Sequence, residues 1–101
     1  PYDNLRPHRP LAEALQQNML ALGQPTRYEQ GVGAYSTDLG NVSHVVPTAA
    51  VSVAVAPADV PLHHAEFARW AGSERGDKGV LIAAKALAMT GVDILGGAVA
   101  L

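Results

Sequence analysis

The sequence predicts an α/β fold, with part of a three-layer sheet and flanking helices. Two stretches have apolar residues at helical spacing, one near the start of the chain and a longer one near its end. Between them, residues 49–56 alternate Val51, Val53 and Val55 with small residues. Alternation with a period of two is typical of a strand. Because the intervening residues are also small or apolar, we expect helices on both faces, as in a parallel or mixed sheet.

The first predicted helix covers residues 10–22. Pro10 stands where a helix tolerates proline best, in the first turn, because its absent N–H would have no partner there. Apolar residues follow at helical spacing, and Gly23 is placed as the C-terminal cap. The apolar positions are Leu11, Leu15, Met19 and Leu22.

The middle of the chain mixes loops with the predicted strand. Residues 24–34 carry proline and glycine without clear periodicity, which predicts a loop. Residues 45–46 begin the strand pattern that continues through residues 49–56. A short helix or turn is then expected over residues 66–70, and Gly72 closes it.

The last predicted helix is the longest. Ser73 is a candidate N-cap, and Glu74 and Asp77 lie in the first turn, where the helix dipole favours negative charge. The apolar face continues to about residue 95, and the two glycines at 96–97 stop the helix. This face comprises Val80, Leu81, Ala84, Leu87, Ala88, Val92 and Leu95.

The composition predicts one domain with a modest core. The chain has 101 residues, 49% of them apolar, but aromatic residues make up only 5%. Alanine, valine and leucine must therefore form most of the core, and they bury less area per residue than phenylalanine or tryptophan. We expect additional stabilisation from a partner or from further chain.

Charge and cysteine content narrow the classes of partner. The formal net charge is −2, with acids and bases scattered, so no basic stripe is available for nucleic acid. Cysteine is absent, which excludes disulfides and thiolate metal sites and suits the reducing cytoplasm. The apolar run at residues 49–56 is too short to span a bilayer, so we expect a soluble protein with no membrane partner.

Histidine is the commonest metal ligand and titrates near neutral pH. His8 lies in the polar opening of the chain and is interpreted as a solvated surface residue. His63 follows the predicted strand and a Pro-Leu pair, so it can be held at the strand's carboxyl end. Adjacent side chains diverge, so only one of His63 and His64 is a ligand candidate. On spacing alone, an ordinary polar loop histidine is the favoured interpretation. One histidine cannot make a zinc site, which needs three or four protein ligands.

A polar segment precedes the predicted strand. It comprises Ser36, Thr37, Asp38, Asn41 and His44. The segment lacks the Gly-x-Ser-x-Gly pattern of a nucleophile elbow. From the residues alone, a cap on a short turn hinged by Gly40 is the favoured interpretation. Asn41 has donors and an acceptor suited to an amide or carboxylate. His44 stands at the start of the strand, where it can face the same crevice as His63.

The string STDLGNVSHVVP at residues 36–47 resembles the signature of a known enzyme family. This is the di-metal metallopeptidase family of the aminoacylases, acetylornithine deacetylase and the aminobenzoyl-glutamate hydrolases. The chain is most similar to its amidohydrolase branch, which includes aminoacylase-like dipeptidases. Further matching stretches follow in the family's order. They are Pro61-Leu62-His63 with Phe67, then residues 71–73 and 84–95.

The resemblance implies a role for each part of the chain. Residues 1–9 would be a connector from an absent lid domain, and residues 10–101 the C-terminal portion of a metallopeptidase catalytic domain. His63 matches the family's last metal ligand, although His64 stands where the family often has threonine. The resemblance makes five residues substrate-binding: Ser36, Thr37, Asp38, Asn41 and His44. The implied metal is zinc, or manganese or cobalt, and the implied substrate is an N-acyl amino acid or a small dipeptide.

The rest of the family's machinery has no counterpart here. The first histidine motif, the bridging aspartate and the glutamate that acts as general base are all missing from the 101 residues. Metal-assisted hydrolysis needs both a held ion and a base, so we expect this chain alone to be inactive and to bind no metal tightly. We expect it to form a homo-oligomer or to associate with missing upstream chain. The alternative hypothesis is a non-catalytic association or packing module.

Overall fold

A computed structural model describes residues 3–24, 37–55, 57, 59–60 and 64–101. Within these ranges the chain forms four helices and no strand. The predicted α/β fold with a three-layer sheet is therefore wrong for this part of the chain. The helices are α1 (Arg9–Ala21), α2 (Leu39–Ser43), α3 (Ala65–Ala71) and α4 (Glu74–Leu95).

The predicted strand is replaced by an irregular segment, residues 47–55. Its backbone forms one hydrogen bond to a distant described residue, in which the His8 N–H donates to the Thr48 carbonyl at 2.8 Å. A strand needs a neighbouring strand to complete its hydrogen-bond ladder, and no other described segment supplies one. The valine pattern therefore does not produce a sheet.

The alternation of the valines has a different consequence. Val51, Val53 and Val55 are half-buried, whereas Ser52 and Ala54 are exposed. The period of two thus sets which side chains turn inward, without any strand pairing. The expectation that helices cover both faces of this segment is wrong, because one face is in solvent.

The first predicted helix is confirmed as α1. At its start, the N–H of Leu11 donates to Nδ1 of His8 at 3.3 Å. At its end, Gly23 has a φ of 79°, and its N–H donates to the Leu20 carbonyl at 2.9 Å. A positive φ favours glycine because it has no Cβ. Gly23 therefore helps to end α1, as predicted, although the C-cap residue itself is the preceding Leu22.

The two C-terminal helices also follow the local sequence signals. The short predicted helix before Gly72 is α3, and α4 begins after Ser73, whose Oγ accepts from the Gly76 N–H at 3.3 Å. Gly97 has a φ of 80°, and its N–H donates to the Ile94 carbonyl at 3.1 Å. Both ends of α4 are therefore where its capping residues predict them.

The core lies where α1 packs against α4. Its buried apolar side chains among the described residues are Leu15, Met19 and Ala86. Four half-buried side chains pack against them, namely Leu22, Val51, Val53 and Ile82. A core of this size stabilises a fold only weakly, which agrees with the low aromatic content.

The opposite side of α4 carries a row of apolar side chains that lie in solvent. We call this row the outer face of α4, and it comprises Val80, Leu81, Leu87, Val92 and Leu95, each more than half exposed. In the described part of the chain, no helix combines the length and apolarity needed to cross a bilayer. The outer face is therefore an apolar surface on a helix that also packs against the core.

Candidate functional site

The polar segment of the sequence forms the start of α2. The N–H of Leu39 donates to Oγ1 of Thr37 at 3.3 Å, so Thr37 provides a local cap. Asp38 directly precedes the helix, but its side chain makes no capping hydrogen bond and is exposed. The expected cap on a short turn is therefore provided by Thr37. Asp38 does not contribute to the cap, and it is exposed to solvent.

Residues 3–6 run alongside α2 and are held by side chains at its C-terminal end. The N–H of Asp3 donates to Oδ1 of Asn41 at 3.1 Å. The N–H of Arg6 donates to Oγ of Ser43 at 2.9 Å. The predicted substrate residue Asn41 is thus bound to an amide group of the chain itself.

His44 completes the same set of contacts from the end of α2. Its Nε2 lies 2.9 Å from the carbonyl oxygen of Asn4. A carbonyl oxygen only accepts hydrogen bonds, so this geometry requires the imidazole proton on Nε2. Asn41 and His44 therefore bind the two outer polar groups of one dipeptide unit, the N–H of Asp3 and the C=O of Asn4.

The close approach of this segment depends on a glycine. Gly40 is buried, and a Cβ placed there would overlap the carbonyl oxygen of Asp3. Any larger residue would push the opening segment away from α2. Gly40 thus has a packing role here, in addition to the hinge expected from sequence.

Some of the predicted substrate-binding residues lie close together in the structure. Asn41 lies within α2, His44 caps its C-terminal end, and Thr37 lies just before its start. His44 follows a helix, so its predicted place at the start of a strand is wrong. Ser36 and His63 lie outside the described residues. Sequence reasoning missed Ser43, although a serine two residues from Asn41 in a polar segment is a recognisable signal.

Two histidines cap helices. His8 caps α1, and Nδ1 of His64 accepts from the Glu66 N–H at 3.2 Å at the start of α3. The sequence predicts a solvated surface residue at His8, whereas in the structure His8 is half-buried and its side chain caps α1. Because Nδ1 of His64 accepts this hydrogen bond from the backbone, only its Nε2 remains for another partner.

The described residues do not assemble a metal centre. Nowhere in these ranges do three or more histidine, aspartate or glutamate side chains converge closely enough to hold an ion. His63 alone could supply one ligand, and a zinc site needs at least three. The described residues therefore do not supply a complete ligand set on their own.

An open groove of about 530 Å³ lies between α1 and the C-terminal tail. Its lining includes Glu13, Ala14 and Val99, and Glu13 pairs with Arg9 at 2.8 Å. The groove contains neither Asn41 nor His44. It is therefore separate from the surface beside α2.

Comparison with known proteins does not place the chain. No family model, curated protein or solved structure matches it. Its function must therefore be inferred from its own residues and geometry.

Proposed function

We propose that this chain is the C-terminal segment of a cytoplasmic, metal-dependent amidohydrolase that hydrolyses the amide of an N-acyl amino acid or small dipeptide. The observation that carries the proposal is the pair of contacts from Asn41 and His44 to main-chain amide groups. The resemblance of residues 36–47 to the metallopeptidase signature supports it independently.

The chemistry of the two side chains suits such a substrate. An acylated amino acid or dipeptide offers amide N–H groups and carbonyl oxygens. Asn41 presents an acceptor and His44 a donor, at a spacing that accommodates one dipeptide unit of the chain's own opening segment. A substrate of similar length could make the same two hydrogen bonds.

Within the proposed enzyme, His63 would be a metal ligand. The described residues do not form a complete metal site and cannot perform hydrolysis by themselves. The missing ligands and the general base would belong to upstream chain. This chain would then contribute substrate contacts, one ligand and packing surface.

The test expresses the encoding gene together with its upstream sequence and measures amide hydrolysis of N-acetyl amino acids and dipeptides with zinc, manganese or cobalt. We expect activity from the longer protein and none from the 101-residue chain. In the longer protein, His63→Ala should abolish tight metal binding.

The matched control is His64→Ala, which removes the neighbouring imidazole. We expect the longer protein to keep its metal after this substitution. An upstream sequence without metal-ligating and general-base residues, or activity that copurifies with the 101-residue chain, would contradict the proposal.

A second candidate function is a non-catalytic association module that pairs with another copy of itself. The observation that favours it is the outer face of α4. A partner that covered its five large side chains would remove a contiguous apolar surface from water, and this surface would form part of the ~800 Å² per partner of a stable interface. Under the amidohydrolase proposal, the remainder of the enzyme would cover this face instead.

A further inference from the structure

We propose that α2 carries a binding site for an extended peptide backbone, and that residues 3–6 occupy this site as an intramolecular strap. We call the three side chains that form the site the cradle: Asn41, Ser43 and His44. The inference rests on the proposed function only in naming the site's substrate as peptide-like. The strap would then compete with that substrate.

The cradle's three hydrogen bonds to the strap all involve main-chain groups of the strap. Asn41 accepts from the N–H of Asp3, and Ser43 accepts from the N–H of Arg6. His44 donates to the carbonyl of Asn4. None of these three hydrogen bonds involves a side chain of the strap. Any peptide with the same backbone conformation would therefore offer the same groups, so the expected ligand class is a short peptide of variable sequence.

Gly40 provides a second observation that the surface is shaped for backbone. It is buried beneath the strap, and a Cβ there would overlap the carbonyl oxygen of Asp3. Glycine is used where another backbone must approach closely. The cradle thus combines three polar side chains with the missing Cβ that lets a peptide lie against α2.

The strap is held weakly enough for a peptide in solution to displace it from the cradle. Its three hydrogen bonds to the cradle lie at exposed positions, where water competes with them. The next anchor along the chain is the hydrogen bond from the His8 N–H to Thr48. This anchor keeps the strap close to α2, so its effective concentration at the cradle is high. A peptide in solution must overcome that advantage.

The first experiment measures amide hydrogen exchange by NMR in the 101-residue chain. We expect Gly40→Ala to reduce protection of the Asp3 and Arg6 amides at least tenfold, while the amides of α1 and α4 keep theirs. The control is Gly91→Ala, a glycine in α4 whose added Cβ would meet no atom within 4 Å. It should leave the strap protected. If the Asp3 and Arg6 amides kept the same protection from exchange in Gly40→Ala, the proposal that residues 3–6 form a strap on the cradle would be overturned.

The second experiment does not depend on Gly40→Ala folding. The variant Asp3→Pro/Arg6→Pro removes both strap N–H donors and leaves the cradle intact. The probe is the synthetic peptide acetyl-Asp-Asn-Leu-Arg-Pro-amide, titrated into this variant and into the natural chain. We expect at least tenfold tighter binding to the variant, with NMR shifts at the three cradle residues.

A control peptide carries an N-methyl group on the main-chain nitrogen of its arginine, which removes the N–H that donates to Ser43. We expect it to bind the double-proline variant at least tenfold more weakly. Equal binding of the probe to the variant and the natural chain, or no effect of N-methylation, would overturn the proposed site. Because these measurements need neither metal nor upstream chain, they can fail while the longer protein proves to be an amidohydrolase. They can equally succeed when it does not.

Discussion

Asn18 of α1 donates from Nδ2 to Oγ1 of Thr90 on α4 at 2.9 Å. The same Nδ2 lies 2.9 Å from Oδ2 of Asp93. Thr90 is buried, and its hydroxyl donates to the Ala86 carbonyl at 2.7 Å. This polar link joins the two long helices beside the small apolar core. It fixes their relative position by directional bonds that apolar packing lacks.

We expect Asn18→Ala to lower the free energy of unfolding by about 1–2 kcal/mol, because Thr90 and Asp93 both lose a donor. Chemical denaturation monitored by circular dichroism measures the change. The matched control is Gln17→Ala, an exposed neighbour on α1, which should change stability by no more than ~0.5 kcal/mol. Equal effects of the two substitutions would argue against the link between the helices.

Two glycines of α4 should respond to alanine with opposite signs. A Cβ at Gly79 would lie 2.6 Å from Cγ1 of Val55. Valine is stiff and cannot move aside easily, so we expect a loss of about 1–3 kcal/mol from overpacking. At Gly91, alanine meets open space and should raise helix stability by up to ~1 kcal/mol. Thermal unfolding of both variants is the measurement, and stabilisation by both would show that Val55 does not pack against Gly79.

The outer face of α4 makes an association prediction. If the second candidate function holds, sedimentation at micromolar concentration should show a reversible dimer, because burying this face removes large apolar side chains from water. Leu87→Asp should give a folded monomer, whereas the control Lys85→Asp should still dimerise. Val53→Asp should instead unfold the chain, since Val53 packs against the core. A natural chain that stays monomeric on concentration would exclude this function.

Zinc binding should be weak in the 101-residue chain. One histidine ligand supplies far less than the ~10–16 kcal/mol of a complete structural site. Isothermal calorimetry is expected to show no tight stoichiometric binding, and His63→Ala should abolish the residual heat. Tight binding of one zinc per monomer would mean that the chain holds a full ligand set, contrary to the proposed role as one segment of a larger enzyme.

The candidate site was only partly predictable from sequence. Asn41 could be selected because its side chain suits an amide, and His44 because the resemblance implies a place near the substrate. Asn41 lies within α2, and His44 caps its C-terminal end. Their partners could not be predicted, because the bonds to Asp3 and Asn4 join residues 38 and 40 positions apart. No short-range pattern specifies contacts across that distance. The partner of Ser43, the Arg6 N–H, was equally unpredictable, because it lies 37 positions away.

The sequence by itself determined α1 and α4 and where they stop, whereas the segment that forms α2 was predicted only as a turn. Gly23 and Gly97 end α1 and α4 with a positive φ, and Ser73 begins α4, because capping depends on residues within one turn. Tertiary structure alone decided what became of the valine segment. Its alternation is compatible with a strand, but a strand exists only when another segment pairs with it. In the described chain Val55 packs against Gly79 of α4 instead, so a pattern typical of a sheet covers a helix.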